Sequence, residues 1–180
     1  MKSSRAGGCK MKKQVFDFVL HLICIIFVGI NLIRVMIEIS YMTENVQLPD
    51  LNHETLQAWI EEVAQKHGKR VGHLTYIFCD DPYILKTNIE FLGHDYYTDI
   101  ITFDYSNSRR ISGDMVISLD TVRTNAERFS KSYSEELMRV IIHGVLHLCG
   151  VNDKGPGERE IMEQHENDAL AMLATNSSNA

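Results

Sequence analysis

The sequence predicts an α+β fold in which a single mixed β-sheet is packed with helices. Segments of alternating apolar residues and segments with helical apolar spacing follow one another in the order β, α, β, α, β, β, α, α, α, which indicates a sheet that is not purely parallel. Two β-branched runs on either side of one polar loop predict a neighbouring strand pair. With 180 residues, 44% of them hydrophobic, the chain is long enough to bury one substantial core.

The first two strands and two helices are predicted between residues 36 and 92. Alternating apolar residues over 36–42 indicate a half-buried first strand. Asn52 is suited to cap a helix over about 53–67. Residues 70–80 are rich in β-formers and predict the second strand, and Pro82 lies near the first turn of a helix that continues to about Leu92.

The remaining elements are predicted between residues 98 and 173. Two β-branched runs within 98–120 flank a polar loop and predict the strand pair, and Asp120 opens a helix to about residue 129. Ser132 and Glu135 have the spacing of a capping box for the next helix. A final helix follows Pro156 and runs to about residue 173. Residues 36–174 are therefore expected to form the folded domain, and 175–180 a disordered tail.

Residues 1–35 differ in composition from the rest of the chain. They carry six basic side chains against one acid, and they include an apolar run over 18–33 that His21 and Asn31 interrupt. Three interpretations stay open: a mis-called start upstream of a true start at Met36, an apolar membrane anchor, or a signal peptide. The run is short for a membrane span, and no small-x-small cleavage site follows it.

The charge distribution limits the classes of partner. Because the whole chain carries −6 and residues 1–35 carry +5, the remainder carries −11. Such an acidic body argues against a general, charge-driven nucleic-acid binder, since phosphate contacts need lysine and arginine. The four cysteines form no C-x-x-C pair, which argues against a zinc ribbon or a redox motif and favours reduced thiols in a cytoplasmic protein.

Two histidines four residues apart predict a metal site at the end of a core helix. His143 and His147 project from one helical face, one turn apart, and Gly150 can take the left-handed conformation that ends the helix. Asp153 is the best third donor on the returning chain, and His165 in the next helix is the alternative. Three protein ligands with one open position are the pattern of a catalytic zinc site.

The motif around these histidines resembles that of a known family. The stretch H-G-V-L-H-L-C-G-V-N-D is similar to the H-G-x-L-H-L-x-G-Y-D-H signature of the YbeY family, which are bacterial, single-domain, metal-dependent endoribonucleases that mature ribosomal RNA. The segments N-I-E-F-L-G-H-D-Y-Y-T-D-I-I-T-F (88–103) and G-D-M-V-I-S (113–118) are similar to two further family motifs in the same order. The resemblance covers the chain from about residue 36 to its end.

Two departures from the family pattern change the expected site. The family's third metal-binding histidine corresponds to Asp153, which adds a negative charge and a harder ligand. Zn²⁺ is the expected ion, with Ni²⁺, Mn²⁺ and Fe²⁺ as alternatives. The family's conserved arginine corresponds to Leu92, which we interpret as a core residue, with His94 at the surface. His94 and Lys86 are weak substitutes for it, and the loop cations Arg109 and Arg110 could meet an RNA backbone.

The resemblance implies a single-strand-specific, metal-dependent endoribonuclease that acts on ribosomal RNA at the small-subunit 3′ end and in ribosome quality control. Its expected partners are single-stranded RNA, ribosomal RNA and the small ribosomal subunit, without DNA or membranes. The alternatives are a metal-containing ribosome-assembly or RNA-binding factor and a membrane-tethered metallohydrolase. Gly144 replaces the glutamate of H-E-x-x-H peptidases, which disfavours peptide hydrolysis. No proton-transfer residue is identified, although Asp99 and Asp114 lie in the matching motifs.

Overall fold

A four-stranded mixed sheet and five helices make up residues 38–177, the part of the chain that the structure, a computed structural model, describes. The strands are β1 (Glu38–Glu44), β2 (Arg70–Cys79), β3 (Ile100–Asp104) and β4 (Arg110–Ser118). The helices are α1 (His53–Lys66), α2 (Asp81–Leu92), α3 (Leu119–Arg128), α4 (Tyr133–Cys149) and α5 (Glu158–Ser177).

The sheet has the strand order β1-β2-β4-β3. β1 pairs with β2 and β2 with β4 in parallel, while β3 and β4 form the antiparallel pair that the polar loop between them predicts. The predicted element order and the mixed α+β class are therefore confirmed. The three interpretations of residues 1–35 concern residues outside the described range. Within residues 38–177, no helix is long and apolar enough to cross a bilayer.

Side-chain caps start the helices close to the predicted positions. The Asn52 side chain accepts a hydrogen bond from the Thr55 backbone N–H at 3.0 Å and so begins α1 as expected. α3 begins one residue earlier than predicted, because the Ser118 hydroxyl at the end of β4 accepts from the Thr121 N–H at 3.2 Å. Strand and helix therefore meet without a loop, and Asp120 is the second residue of the helix instead of the first.

Helix α4 has well-defined signals at both ends. Ser132 and Glu135 form the predicted capping box, with the Glu135 N–H donating to the Ser132 hydroxyl at 3.1 Å and the Ser132 N–H donating to the Glu135 carboxylate at 3.2 Å. Gly150 ends the helix with a positive φ of 98°, as predicted. The length of the helix between these two caps determines where the two histidines lie relative to the sheet.

The larger core lies between one face of the sheet and helices α1, α3, α4 and α5. The smaller core lies on the other face, where Ile84 of α2 packs against Cys79, Ile101 and Val116. Gly144 allows α4 to approach the sheet closely: a Cβ at this position would come within 2.8 Å of the Ile100 side chain and 3.0 Å of the Met115 sulfur. Gly144 is thus a packing residue.

Helix α5 continues to Ser177, past the predicted end near residue 173. The polar residues that suggested a tail do not stop the helix, because no glycine or proline interrupts it. The Thr175 hydroxyl bonds within the helix, donating to the Ala171 carbonyl one turn back at 2.8 Å. Residues 175–177 of the predicted tail are therefore helical, and 178–180 lie outside the described range.

We expect Gly150→Ala to lower the free energy of unfolding by about 1 kcal/mol, because a Cβ disfavours the left-handed backbone, in part offset by a less flexible unfolded chain. No atom of residues 38–177 lies within 4 Å of a Cβ at this position, so we attribute the loss to the backbone. Urea unfolding of the metal-free protein measures it. Gly150→Asn is the matched control and should lose less, since asparagine tolerates this conformation. Equal losses in both variants would contradict this explanation.

Candidate metal centre

The two histidines of α4 turn their Nε2 atoms toward each other. The ring centroids of His143 and His147 are 4.4 Å apart and the Nε2 atoms 2.9 Å apart. Each Nδ1 faces an oxygen acceptor, which assigns the ring hydrogen of a neutral imidazole to Nδ1. Both Nε2 atoms then present lone pairs to the same point. Two facing lone pairs repel each other, and a cation between them removes the repulsion.

Asp153 completes a set of three donors. After Gly150 reverses the chain, the Asp153 Oδ2 atom lies 3.6 Å from the Nε2 atom of His143 and 3.7 Å from that of His147. Tetrahedral ligands at typical zinc distances are separated by about 3.4 Å, so the three atoms have nearly the required spacing. The Asp153 Oδ1 atom is buried and has no hydrogen-bond partner in the part of the chain described. These residues fit a divalent metal ion and form a possible binding cluster.

A second carboxylate orients His143 from helix α5. The His143 Nδ1 atom donates to Oε1 of Glu166 at 2.7 Å, and Arg139 donates to the other oxygen of Glu166 at 2.8 Å. Burial would raise the pKa of Glu166, but the hydrogen bonds from His143 and Arg139 hold it below its ordinary value. Burial would likewise lower the pKa of His143, but the hydrogen bond to Glu166 and the negative charges around the ring together raise it above its ordinary value.

His147 is oriented by the backbone. Its Nδ1 atom donates to the carbonyl oxygen of Val151 at 3.0 Å, just beyond the glycine that ends α4. Burial lowers the pKa of His147, and the charge of His143 lowers it further. An anionic carboxylate therefore orients one ring, and a neutral carbonyl orients the other. In both cases the Nε2 atom is directed at Asp153.

The cluster opens into a groove of about 1330 Å³ lined by residues of α2 through α5 and of β3. Asp99 at the start of β3 lines this groove and interacts electrostatically with His143. One Asp99 oxygen accepts from the Ile100 N–H at 2.9 Å, and the other faces the Asn125 amide at 3.5 Å. Asp114 is not among the lining residues and accepts a hydrogen bond from Tyr105. Of the two carboxylates that the motifs suggested, Asp99 alone is in the groove.

The position of the family's arginine is exposed in this chain. Leu92 lines the groove and is 48% exposed, which corrects its interpretation as a core residue. It lies in the last turn of α2, where the helix leaves the smaller core. His94 also lines the groove. The other cations considered as substitutes, Lys86, Arg109 and Arg110, are not among its lining residues.

The alternative third ligand, His165, lies elsewhere. Its ring packs edge-to-face against His67 at the end of α1, with centroids 5.0 Å apart. Burial lowers the pKa of His67, and the charge of His165 contributes to that effect. The donors that cluster in the described part of the chain are those of His143, His147 and Asp153.

Glu166 was not predicted from the sequence, although the sequence contains a signal for it. Met162, Glu166 and Ala169 are buried at helical spacing on the inner face of α5. A carboxylate in the middle of an apolar stripe is rarely buried without a partner. Such a residue, close in sequence to a metal motif, points to an outer-shell hydrogen bond.

Comparison with known proteins agrees with these motifs. The family model described as "Endoribonuclease YbeY" matches residues 38–174. The chain belongs to the YbeY family. Relatives named Endoribonuclease YbeY include one from Phocaeicola vulgatus, 63% identical over 76% of this chain and 99% of the relative, and one from Bacteroides thetaiotaomicron, 61% identical over 74% and 98%.

More distant similarity supports the same assignment. An Endoribonuclease YbeY from Porphyromonas gingivalis is 51% identical over 77% of this chain and 91% of that relative. The solution structure of TM1509 from Thermotoga maritima matches with a TM-score of 0.53 and 25% identity, covering 79% of this chain and 95% of that one. The family model thus matches the portion of the chain that contains the sheet and the donor cluster.

We expect Glu166→Gln to weaken binding of Zn²⁺ by about 10- to 100-fold, because the amide removes the charge that makes His143 a stronger donor. Competition with a chromophoric chelator measures the affinity. Glu163→Gln is the matched control, since Glu163 lines the same groove from the same helix but is exposed. Circular dichroism confirms that both variants are folded. Equal affinity in the wild type and Glu166→Gln would contradict the outer-shell role.

Proposed function

We propose that this protein is a metal-dependent endoribonuclease that cleaves single-stranded RNA. The observation that carries the proposal is the three-donor cluster of His143, His147 and Asp153, which opens into a large groove in a chain of the YbeY family. The names of the relatives indicate the reaction class, and the donor cluster would hold the metal ion for that reaction. We further propose that the RNA is ribosomal, at the 3′ end of small-subunit rRNA, and that the protein acts in the cytoplasm.

Zn²⁺ is the ion that we propose for the cluster. Two imidazole nitrogens, one carboxylate oxygen and an open fourth position are the pattern of catalytic zinc. The carboxylate of Asp153 also suits harder ions, so Mn²⁺ and Fe²⁺ are alternatives beside Ni²⁺. A divalent ion held there would polarise a phosphoryl oxygen and acidify a water molecule. Gly144 supplies no side chain at the position of the peptidase glutamate, which favours phosphodiester over peptide cleavage.

Asp99 is our proposed proton-transfer residue. It lines the groove and lies close enough to His143 for electrostatic interaction. One of its oxygens is held by the backbone, and the contact of the other among the described residues is the long one with Asn125. That second oxygen is available to accept a proton from an attacking water or to hold one for the leaving oxygen.

A second candidate function is RNA binding in ribosome assembly without strong nuclease activity. The specific observation in its favour is Leu92, which stands where the family pattern has an arginine. An apolar side chain cannot neutralise a phosphate, so the negative charge of the transition state would be less stabilised. Binding of RNA by the wild type without metal-dependent cleavage would establish this second function and reject the first.

We expect Asp153→Ala to lose most of its bound metal and to cleave RNA at least 100-fold more slowly, because a site with two ligands holds the ion poorly. Elemental analysis of purified protein and cleavage of a labelled unstructured RNA are the measurements. Asp153→His should retain the metal, since histidine is the ligand in the family signature, and His143→Ala should lose both properties. Unchanged metal content in Asp153→Ala would overturn the assignment of the third ligand.

For Asp99→Asn we expect cleavage to slow by about 10²- to 10⁴-fold with unchanged metal content, because the amide cannot exchange a proton. Asp104→Asn is the matched control: Asp104 ends the same strand and lines the same groove. It should keep nearly full activity. If both variants cleave at the wild-type rate, Asp99 has no part in proton transfer.

A further inference from the structure

Two exposed aromatic side chains line the groove that contains the donor cluster. Tyr96, after α2, is 57% exposed, and Phe129, at the end of α3, is 54% exposed. Leu92 adds an exposed apolar surface to the same lining. Large apolar groups left in water beside a site are typical of a surface that a ligand covers. The chemistry of these rings limits which class of ligand can bind there.

The ring of Tyr96 is held in place before any ligand binds. It stacks on His94 with centroids 5.2 Å apart and an angle of 20° between the planes, and its hydroxyl meets the His94 Nδ1 atom at 3.2 Å. The Tyr96 carbonyl accepts from the amide of Asn88, which is buried in α2, at 2.8 Å. A ring fixed in this way loses little conformational entropy when a flat partner stacks on it.

Phe129 has a different neighbour. The guanidinium carbon of Arg128 lies 5.4 Å from the centroid of its ring. An arginine beside an exposed phenyl ring is a common arrangement in proteins that bind single strands, since both groups offer flat surfaces to a base. Phe129 is therefore a second stacking surface, from a different element of the same groove.

Charge alone does not favour a polyanion in this groove. Among the described residues that line it, seven are carboxylates and five are lysines or arginines. One divalent ion would only offset that difference. Residues 36–180 are also acidic as a whole, and the arginine of the family pattern is absent at Leu92. Attraction to phosphates is therefore too weak to supply most of the affinity for RNA.

We propose that this groove binds single-stranded RNA chiefly by stacking bases on Tyr96 and Phe129, and not by contacts to phosphates. The inference rests on the proposed nuclease function and extends it to how the substrate is recognised. Bases within a duplex are already stacked on each other and cannot reach these rings, so the mode of binding itself selects single strands. Affinity should then depend strongly on the bases and weakly on salt.

The test is cleavage of a labelled, unstructured 12-nucleotide RNA by the metal-loaded protein under single-turnover conditions. We expect Tyr96→Ala and Phe129→Ala each to raise the half-saturating protein concentration by about 5- to 150-fold, with the rate at saturation reduced less than threefold. Tyr96→Phe should stay within about twofold of the wild type, because the ring is kept.

Tyr97→Ala is the matched control, since Tyr97 is also 57% exposed but does not line the groove. It should bind as the wild type does. A 12-mer with abasic sites should bind the wild type weakly, and its affinity for the alanine variants should be only slightly lower. The log–log dependence of binding on salt should have a slope shallower than about −2, which corresponds to few phosphate contacts.

Anisotropy titrations with the same RNA, at 4 °C and with its integrity checked on a gel, separate this inference from the proposed function. Binding without cleavage, still weakened by Tyr96→Ala and Phe129→Ala, would reject the nuclease and uphold stacking. If the RNA is cleaved and both variants bind it as tightly as Tyr97→Ala does, the stacking proposal is wrong and the nuclease proposal stands. A salt slope near −4 with equal binding of intact and abasic RNA would also overturn it.

Discussion

The hydrogen bond between His143 and Glu166 is the interaction on which the geometry of the candidate metal centre depends. It joins α4 to α5 at 2.7 Å, and the second Glu166 oxygen is held by Arg139. Both helices pack into the larger core, so the carboxylate cannot follow a rotation of the imidazole without losing buried contacts. The Nδ1 atom of His147 instead donates to the neutral Val151 carbonyl, just past the end of its own helix. The anionic contact from α5 therefore fixes the direction in which the His143 imidazole faces.

Much of the fold and the three donors could be predicted from the sequence because their signals are local. The capping box at Ser132 and the glycine stop at Gly150 fix the length of α4, and the four-residue spacing of His143 and His147 fixes their common face. The turn after Gly150 leaves only a few positions that can reach the same point, and Asp153 has the suitable ligand among them. Chain connectivity over eleven residues therefore determines the cluster.

The rest of the site could not be predicted because it depends on contacts between distant segments. Glu166 meets His143 across 23 residues and Asn125 faces Asp99 across 26. Leu92 was predicted to be buried and is exposed instead. A leucine at helical spacing is normally buried, yet this one lies where α2 leaves the smaller core. Sequence periodicity identifies an apolar face but does not say where along a helix the packing partner ends.

The balance of charge in the groove links metal binding to substrate binding. Seven carboxylates against five lysines and arginines leave an excess of two negative charges when the histidines are neutral. A divalent ion at His143, His147 and Asp153 cancels that excess, whereas the metal-free groove repels a phosphate. A histidine at position 153 would leave only one excess negative charge, and the loaded groove would then be positive. The aspartate thus gives a groove that is close to neutral when loaded. In such a groove, the proposed contact with the bases would decide the affinity for RNA, and the ion would act mainly on the phosphate that reacts.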